Sequence, residues 1–213
     1  LDLAVEGTML AKMRNLGEAC TAANRIYVHA DIAEAFTTKL TAAMAALKLG
    51  DGADPTVDVG PLVNADTRDK VAAFVADAVA KGAKVECGGV TPEGTGFYYP
   101  PTVLSNVSET SDCVHDEIFG PVAALQLFTD QEDVIRRAND TEYGLVAYVF
   151  SENMKRALQV CERLDYGMVG LNRGLVSDPA APFGGTKQSG LGREGGHEGM
   201  HEFMETQYIS ASW

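Results

Sequence analysis

The sequence predicts an α/β domain built on a mostly parallel sheet. Apolar strand-like runs alternate with helix-like stretches of about a dozen residues, the pattern of βαβ units. The run "PVAALQLF" is almost wholly apolar, as a strand covered on both faces is. The bulk numbers agree. The chain has 213 residues, 46% hydrophobic and 22% charged, which suits one sizeable soluble domain or a domain plus an extension.

Residues 1 to about 14 read as a helix with an apolar face at Leu3, Val5 or Gly7, and Leu10. Asn15, Gly17 and Ala19 break it into a loop that carries Cys20. "RIYVHA" reads as a strand. Asp31 can cap the next helix, "IAEAFTTKLTAAMAAL", which Gly50 stops. "DGADPTVDVGP" is a loop, and "ADTRDKVAAFVADAVAKG" is a helix ending at Gly82, followed by the strand "AKVEC". "FYYPPTVL" is extended, as its two prolines demand. After "PVAALQLF" come helix "QEDVIRRAND", strand "GLVAYVF", helix "NMKRALQVCERL" and strand "GMVGLN". From Pro182 the texture turns glycine-rich in "PFGGTKQSGLGREGG". A last helix, "EGMHEFMET", leads to a terminal strand, "QYISASW". No internal repeat appears.

The net charge of -13 argues against nucleic acid and anionic membranes, since lysine and arginine supply both affinities. The four cysteines, Cys20, Cys87, Cys113 and Cys161, form no C-x-x-C pair. With no leader and no apolar run of membrane length, the chain reads as reducing and cytoplasmic with free thiols. Its two N-x-[ST] sequons are then chance matches. The opening "LDLAVEGTMLAKM" starts in an amphipathic pattern without Met, so the chain reads as a piece of a longer protein.

Two motif matches fail on context. "GLGREG" fits G-x-G-x-x-G but follows no strand, and the chain ends too soon for a dinucleotide-binding unit. "HEGMH" fits H-E-x-x-H, but Gly199 weakens the helix and no third zinc ligand of the usual kind follows. No metal site is expected.

Three loops concentrate chemistry-bearing residues. The first holds Cys20, between Arg14 and Arg25, in "RNLGEACTAANR". A catalytic thiol needs partial exposure and backbone donors; a free cysteine otherwise serves as a small buried hydrophobe. The second is "HDEIFGPV", with Glu117 and Phe119. The third is "PFGGTKQSGLGRE", where Gly184 and Gly185 permit close backbone approach. The other three cysteines lie in ordinary helix, strand or connection.

Together these stretches resemble the aldehyde dehydrogenase family. The likeness covers the whole chain, through "GEACTAANR", "VGPLVN", "GFYYPPTVL", "EIFGPV", "NDTEYGL", "GMVGLN" and "PFGGTKQSGLGRE" in the family's order. It implies the cysteine-bearing part of the family's three-layer αβα catalytic domain over residues 1–187. It further implies a helix at 188–204 that returns to a cofactor domain, and an oligomerisation strand at 205–213, as in a homo-oligomer.

The resemblance also implies the chemistry. Cys20 matches the nucleophile that attacks an aldehyde. Glu117 matches the residue that hydrogen-bonds the nicotinamide ribose of NAD or NADP, and Phe119 the one that packs near the nicotinamide. The resemblance implies that the family's general base, its oxyanion-hole asparagine and the whole N-terminal cofactor domain fall upstream of this sequence. Position 18 is Glu where the family usually has Gln, so its carboxylate is expected to point away from the thiol. Position 22 is Ala, and Arg173 reads as a solvated loop charge.

The closest subfamily likeness is to succinate-semialdehyde dehydrogenases. Arg14, six positions before Cys20, matches their carboxylate-binding arginine, and Ser177 their carboxylate-contacting serine. A guanidinium takes a carboxylate through two parallel hydrogen bonds, which suits Arg over Lys.

Overall fold

The computed structural model describes residues 1–213. Its centre is a four-stranded sheet in the order β1-β4-β3-β2. β1 (Ile26–His29), β4 (Val122–Phe128) and β3 (Thr102–Ser105) run parallel, and β2 (Lys84–Cys87) closes one edge antiparallel. Strand alternation explains the layering. Val103, Ala123 and Leu125 face one core with Phe36, Leu40 and Met44. Their neighbours Leu104, Val122 and Ala124 face a second core with Val71, Val75 and Tyr99. Helices α1 (Asp2–Met13) and α2 (Ala33–Ala45) cover the first face, and α3 (Ala65–Ala80) and the one-turn α4 (Asp112–His115) the second.

The remaining elements form a second group. α5 (Gln131–Asn139) leads to β5 (Tyr143–Gly144) and β6 (Val146–Val149), then α6 (Met154–Cys161) and β7 (Met168–Leu171). β6 and β7 pair in parallel, from Val146 opposite Met168 to Val149 opposite Leu171. The short β8 (Thr186–Lys187) lies antiparallel to β5, and a single turn, α7 (Glu198–His201), follows. No helix is long and apolar enough to cross a membrane.

Several local expectations change. α1 buries Val5, Thr8, Ala11 and Lys12, while Leu3 and Leu10 are exposed. Leu3 and Leu10 are seven apart and share a face, but that face lies opposite the core. Asp31 does not cap α2. A short 3-10 turn, Ala30–Ile32, intervenes, and the Asp31 N–H donates to His29 Nδ1 instead. α2 ends before Gly50, whose N–H pairs with the Val59 carbonyl. Only one turn of the last helix forms, and residues 205–213 are exposed with no helix or strand within this chain. A strand exists only when a neighbour completes its ladder.

Candidate active site

Cys20 follows an unusual turn. Asn15, Leu16 and Gly17 all have positive φ, at 49°, 61° and 80°. Asn tolerates this region and Gly prefers it, but Leu16 is strained there. Docking holds the turn in place. A Cβ added to Gly17 would lie 2.4 Å from the Gly120 carbonyl oxygen. Only glycine permits that approach, and it joins the cysteine loop to the "FGP" loop.

Asn24 makes the second join. Its amide donates to the carbonyls of Cys113 and Asp116, each at 3.0 Å, and its oxygen accepts the Ile118 N–H at 2.9 Å. Every donor and acceptor of the side chain it brings to bear is therefore spent on the segment that carries Glu117. Lys70 of α3 steadies the same segment by donating to the Glu117 carbonyl at 3.1 Å. Cys20 and Glu117 consequently line one cavity of about 570 Å³. Phe119, with φ of 50°, is half-buried beside them but outside the cavity lining.

The glycine-rich loop closes the other side of the thiol. Gly184 backs its carbonyl onto Gly167, and Gly185 sits against Gly144, contacts that any Cβ would block. Arg193 ties the loop down by donating to the Gly185 and Gly192 carbonyls. A second cavity of about 420 Å³ runs between this loop and Cys20, with Glu194 and Glu202 on its wall. Sequence reasoning did not single out these carboxylates, nor Lys70 or Asn24. The loop position of Asn24 in "TAANR" was the available signal.

Exposure separates the four thiols. Cys20 is exposed, Cys113 is fully buried, and Cys87 and Cys161 are half-buried. Burial pushes the Cys113 thiol up to about 11, and raises Cys87 and Cys161 as well. Buried thiols stay protonated and inert. Neither Cys20 nor Thr21 uses its backbone N–H within the chain, so both donors are free beside the sulfur. The Glu18 carboxylate turns aside, as expected, and accepts the Val63 N–H at 3.2 Å.

Arg14 is exposed and donates to Thr21 Oγ1 at 3.1 Å, one residue past the thiol. Tyr148 of β6 reaches the same residue, donating its hydroxyl to the Thr21 carbonyl at 3.0 Å. Burial raises the Tyr148 phenol, and the Cys20 charge adds to this, while the Thr21 bond and Arg14 oppose it. Arg14, Cys20 and Tyr148 thus share one electrostatic neighbourhood. Ser177 lies exposed in the loop after β7, which crosses α1 where Gly174 abuts the Gly7 backbone. No hydrogen bond joins it to Arg14, whose side chain bonds Thr21. Arg173 is exposed on the same loop. Arg25 points away from the thiol. It donates to the Arg137 and Ala138 carbonyls and so caps the C-terminus of α5. The rings of His197 and His201 meet edge to face, 5.1 Å apart.

Comparison with known proteins fits this geometry. The aldehyde dehydrogenase family model matches residues 1–209. The chain belongs to the aldehyde dehydrogenase family. It is 54% identical to a succinate-semialdehyde dehydrogenase of Paenarthrobacter nicotinovorans, over 98% of this chain and 46% of that protein. It is 46% identical to a glutarate-semialdehyde dehydrogenase of Pseudomonas putida, over 100% of this chain and 44% of the relative. An NADP-dependent enzyme of Escherichia coli superposes with a TM-score of 0.95 at 45% identity, covering 98% of this chain and 43% of the other. The chain therefore spans a little under half the length of these aldehyde dehydrogenase relatives.

Proposed function

We propose that this chain is the cysteine-bearing portion of an NAD(P)-dependent dehydrogenase that oxidises succinic semialdehyde to succinate. The observation that carries the reading is the exposed Cys20 thiol between two cavities, with the Arg14 guanidinium anchored one residue away. The identity to a succinate-semialdehyde dehydrogenase supports the choice of aldehyde.

Cys20 Sγ, as thiolate, bonds to the aldehyde carbon, and the free N–H of Cys20 holds the oxyanion of the thiohemiacetal. A bound nicotinamide supplies the hydride acceptor. Loss of hydride from the carbon leaves an acyl group on sulfur, and water then releases the acid. The chain's residues fit such a cofactor. The exposed Glu117 carboxylate is an acceptor for ribose hydroxyls at the mouth of the Cys20 cavity, with its backbone fixed by Asn24 and Lys70. Phe119, one turn of loop further, offers an aromatic face nearby.

Arg14 and Ser177 together bind the remote carboxylate. The test compares kcat/KM for succinic semialdehyde and butyraldehyde in a complete dehydrogenase carrying this sequence. A preference of about a hundredfold for the acid equals about 2.7 kcal/mol of differential transition-state binding, reasonable for a desolvated guanidinium–carboxylate contact. Arg14→Ala should abolish that preference mainly through KM for the acid. Equal losses for both aldehydes would refute the assignment. A second reading, glutaric semialdehyde as substrate, draws on the Pseudomonas putida relative and retains the same residues. Residues 188–204 are assigned to packing on the cofactor domain and 205–213 to an intersubunit strand in a homo-oligomer. The 213-residue chain by itself is expected to give no steady NADH or NADPH production.

A further inference from the structure

The buried face of α1 carries a charge that the chemistry of Cys20 does not use. Val5, Thr8 and Lys12 recur at helical spacing, and all three are buried. Lys12 is only 1% exposed. Its ammonium has no hydrogen bond within the chain to offset that burial. A lone cation inside a protein is costly, so a lysine at an otherwise apolar position calls for a reason. Burial pushes this ammonium down to about 8, while the charge of Glu117, and then that of Cys113, opposes the shift. Glu117 is thus the carboxylate whose field the buried cation feels.

The backbone explains why the two meet. A Cβ on Gly17 would lie 3.1 Å from the Lys12 carbonyl oxygen and 2.4 Å from that of Gly120. The last turn of α1, the turn before Cys20 and the loop after Glu117 therefore stack on one another. The other ionisable groups nearby are occupied or turned out to solvent. Cys113, pushed up to about 11, stays neutral. Asp112 bonds Lys81, His115 donates to the Glu109 carbonyl, and Asp116 is exposed. Glu34 and Lys39 of α2, packed along α1, are exposed, and so is Arg14, which bonds Thr21. Glu18 accepts the Val63 N–H. Asn24 and Lys70 fix the backbone around Glu117 but leave its carboxylate to rotate.

We propose that Lys12 is a positioning residue: its buried ammonium holds the Glu117 carboxylate inward, at the Cys20 cavity, where it meets the ribose hydroxyls of NAD or NADP. The proposal rests on the reading of Glu117 as the ribose-binding residue. A buried cation suits this task, because dissolved salt screens it far less than a surface charge. The hold needs Lys12 charged and Glu117 ionised. It is therefore present at neutral pH and lost as pH rises through the depressed value of Lys12.

The test measures the dissociation constants of NADH and NADPH, by nicotinamide fluorescence, in a complete dehydrogenase carrying this sequence. The titration runs from about pH 7 to about pH 9, across the depressed value of Lys12. The parent should bind about fivefold more weakly at the alkaline end. Lys12→Met and Glu117→Gln should each be about that weak at neutral pH, without the pH dependence, and the double variant no weaker than either. Lys12→Met keeps the length and removes the charge at a buried site, so it should fold. A lysine that only supports packing would give a weakened variant that keeps the parent's pH dependence, and that result would overturn the proposal. Unchanged binding in Lys12→Met would overturn it too. If Lys12→Met does not fold, the parent and Glu117→Gln decide alone, and an equal pH dependence in the two overturns the proposal. Glu117→Gln that binds as the parent does removes the reading of Glu117 and the proposal with it. A weakened Glu117→Gln beside an unchanged Lys12→Met removes the proposal only.

Discussion

Cys20 is set apart from the other thiols by its exposure. A neutral alkylating reagent near neutral pH should modify Cys20 first in the folded chain, with Cys113 reacting only on unfolding. Peptide mapping by mass spectrometry reads the order directly, and early modification of Cys113 would contradict it. The sequence pattern identified this cysteine, as it did the outward turn of Glu18, because loop composition and the family motif agree there. Arg25 shows the limit. Its place beside the thiol in sequence does not make it a partner of the thiol: it donates to the Arg137 and Ala138 carbonyls at the end of α5 and to the hydroxyls of Tyr27 and Tyr166. Such a partner, 112 positions away, leaves no local trace in the sequence.

At the scale of elements, two contacts hold the site's walls. Gly17→Ala must either shift the Gly120 carbonyl or leave its φ of 80°. The variant should lose about 2 kcal/mol or more in a denaturant titration, and Cys20 labelling should change with it. Full stability in this variant would mean that the turn does not dock as described. A second contact joins α3 to α4. Lys81 bonds the carboxylates of Asp77 and Asp112, and Asp77 also accepts the Asp112 N–H. The Lys81 bond, then the Asp112 N–H, hold the Asp77 carboxyl below the usual range. A depressed folded-state pKa contributes stability above the unfolded value of about 3.9, lost as pH falls through the folded one. Asp77→Asn should therefore be less stable than the parent at neutral pH, with the gap closing below about pH 4. A gap that persists in acid would assign the loss to packing. Most helices and strands were legible from periodicity, since their apolar patterns match their layers. The one-turn α4 and the two-residue β8 were not, because each is fixed by contacts with distant segments and carries no repeat of its own.

For the molecule as a whole, the α/β class and mostly parallel sheet follow from alternating elements. The division into one four-stranded and two two-stranded sheets, with the edges of β1 and β6 lining one cavity, does not, because each such edge belongs to a strand that reads normally on its own. The most direct measurement is the mass of Cys20 during turnover. The chain, joined to the upstream portion of the Paenarthrobacter nicotinovorans enzyme, is mixed with succinic semialdehyde and NAD or NADP, quenched in acid and mapped. The account predicts a succinyl group on Cys20 and no oxidation by Cys20→Ala. Turnover that survives Cys20→Ala, or an acyl group on a different residue, would contradict it.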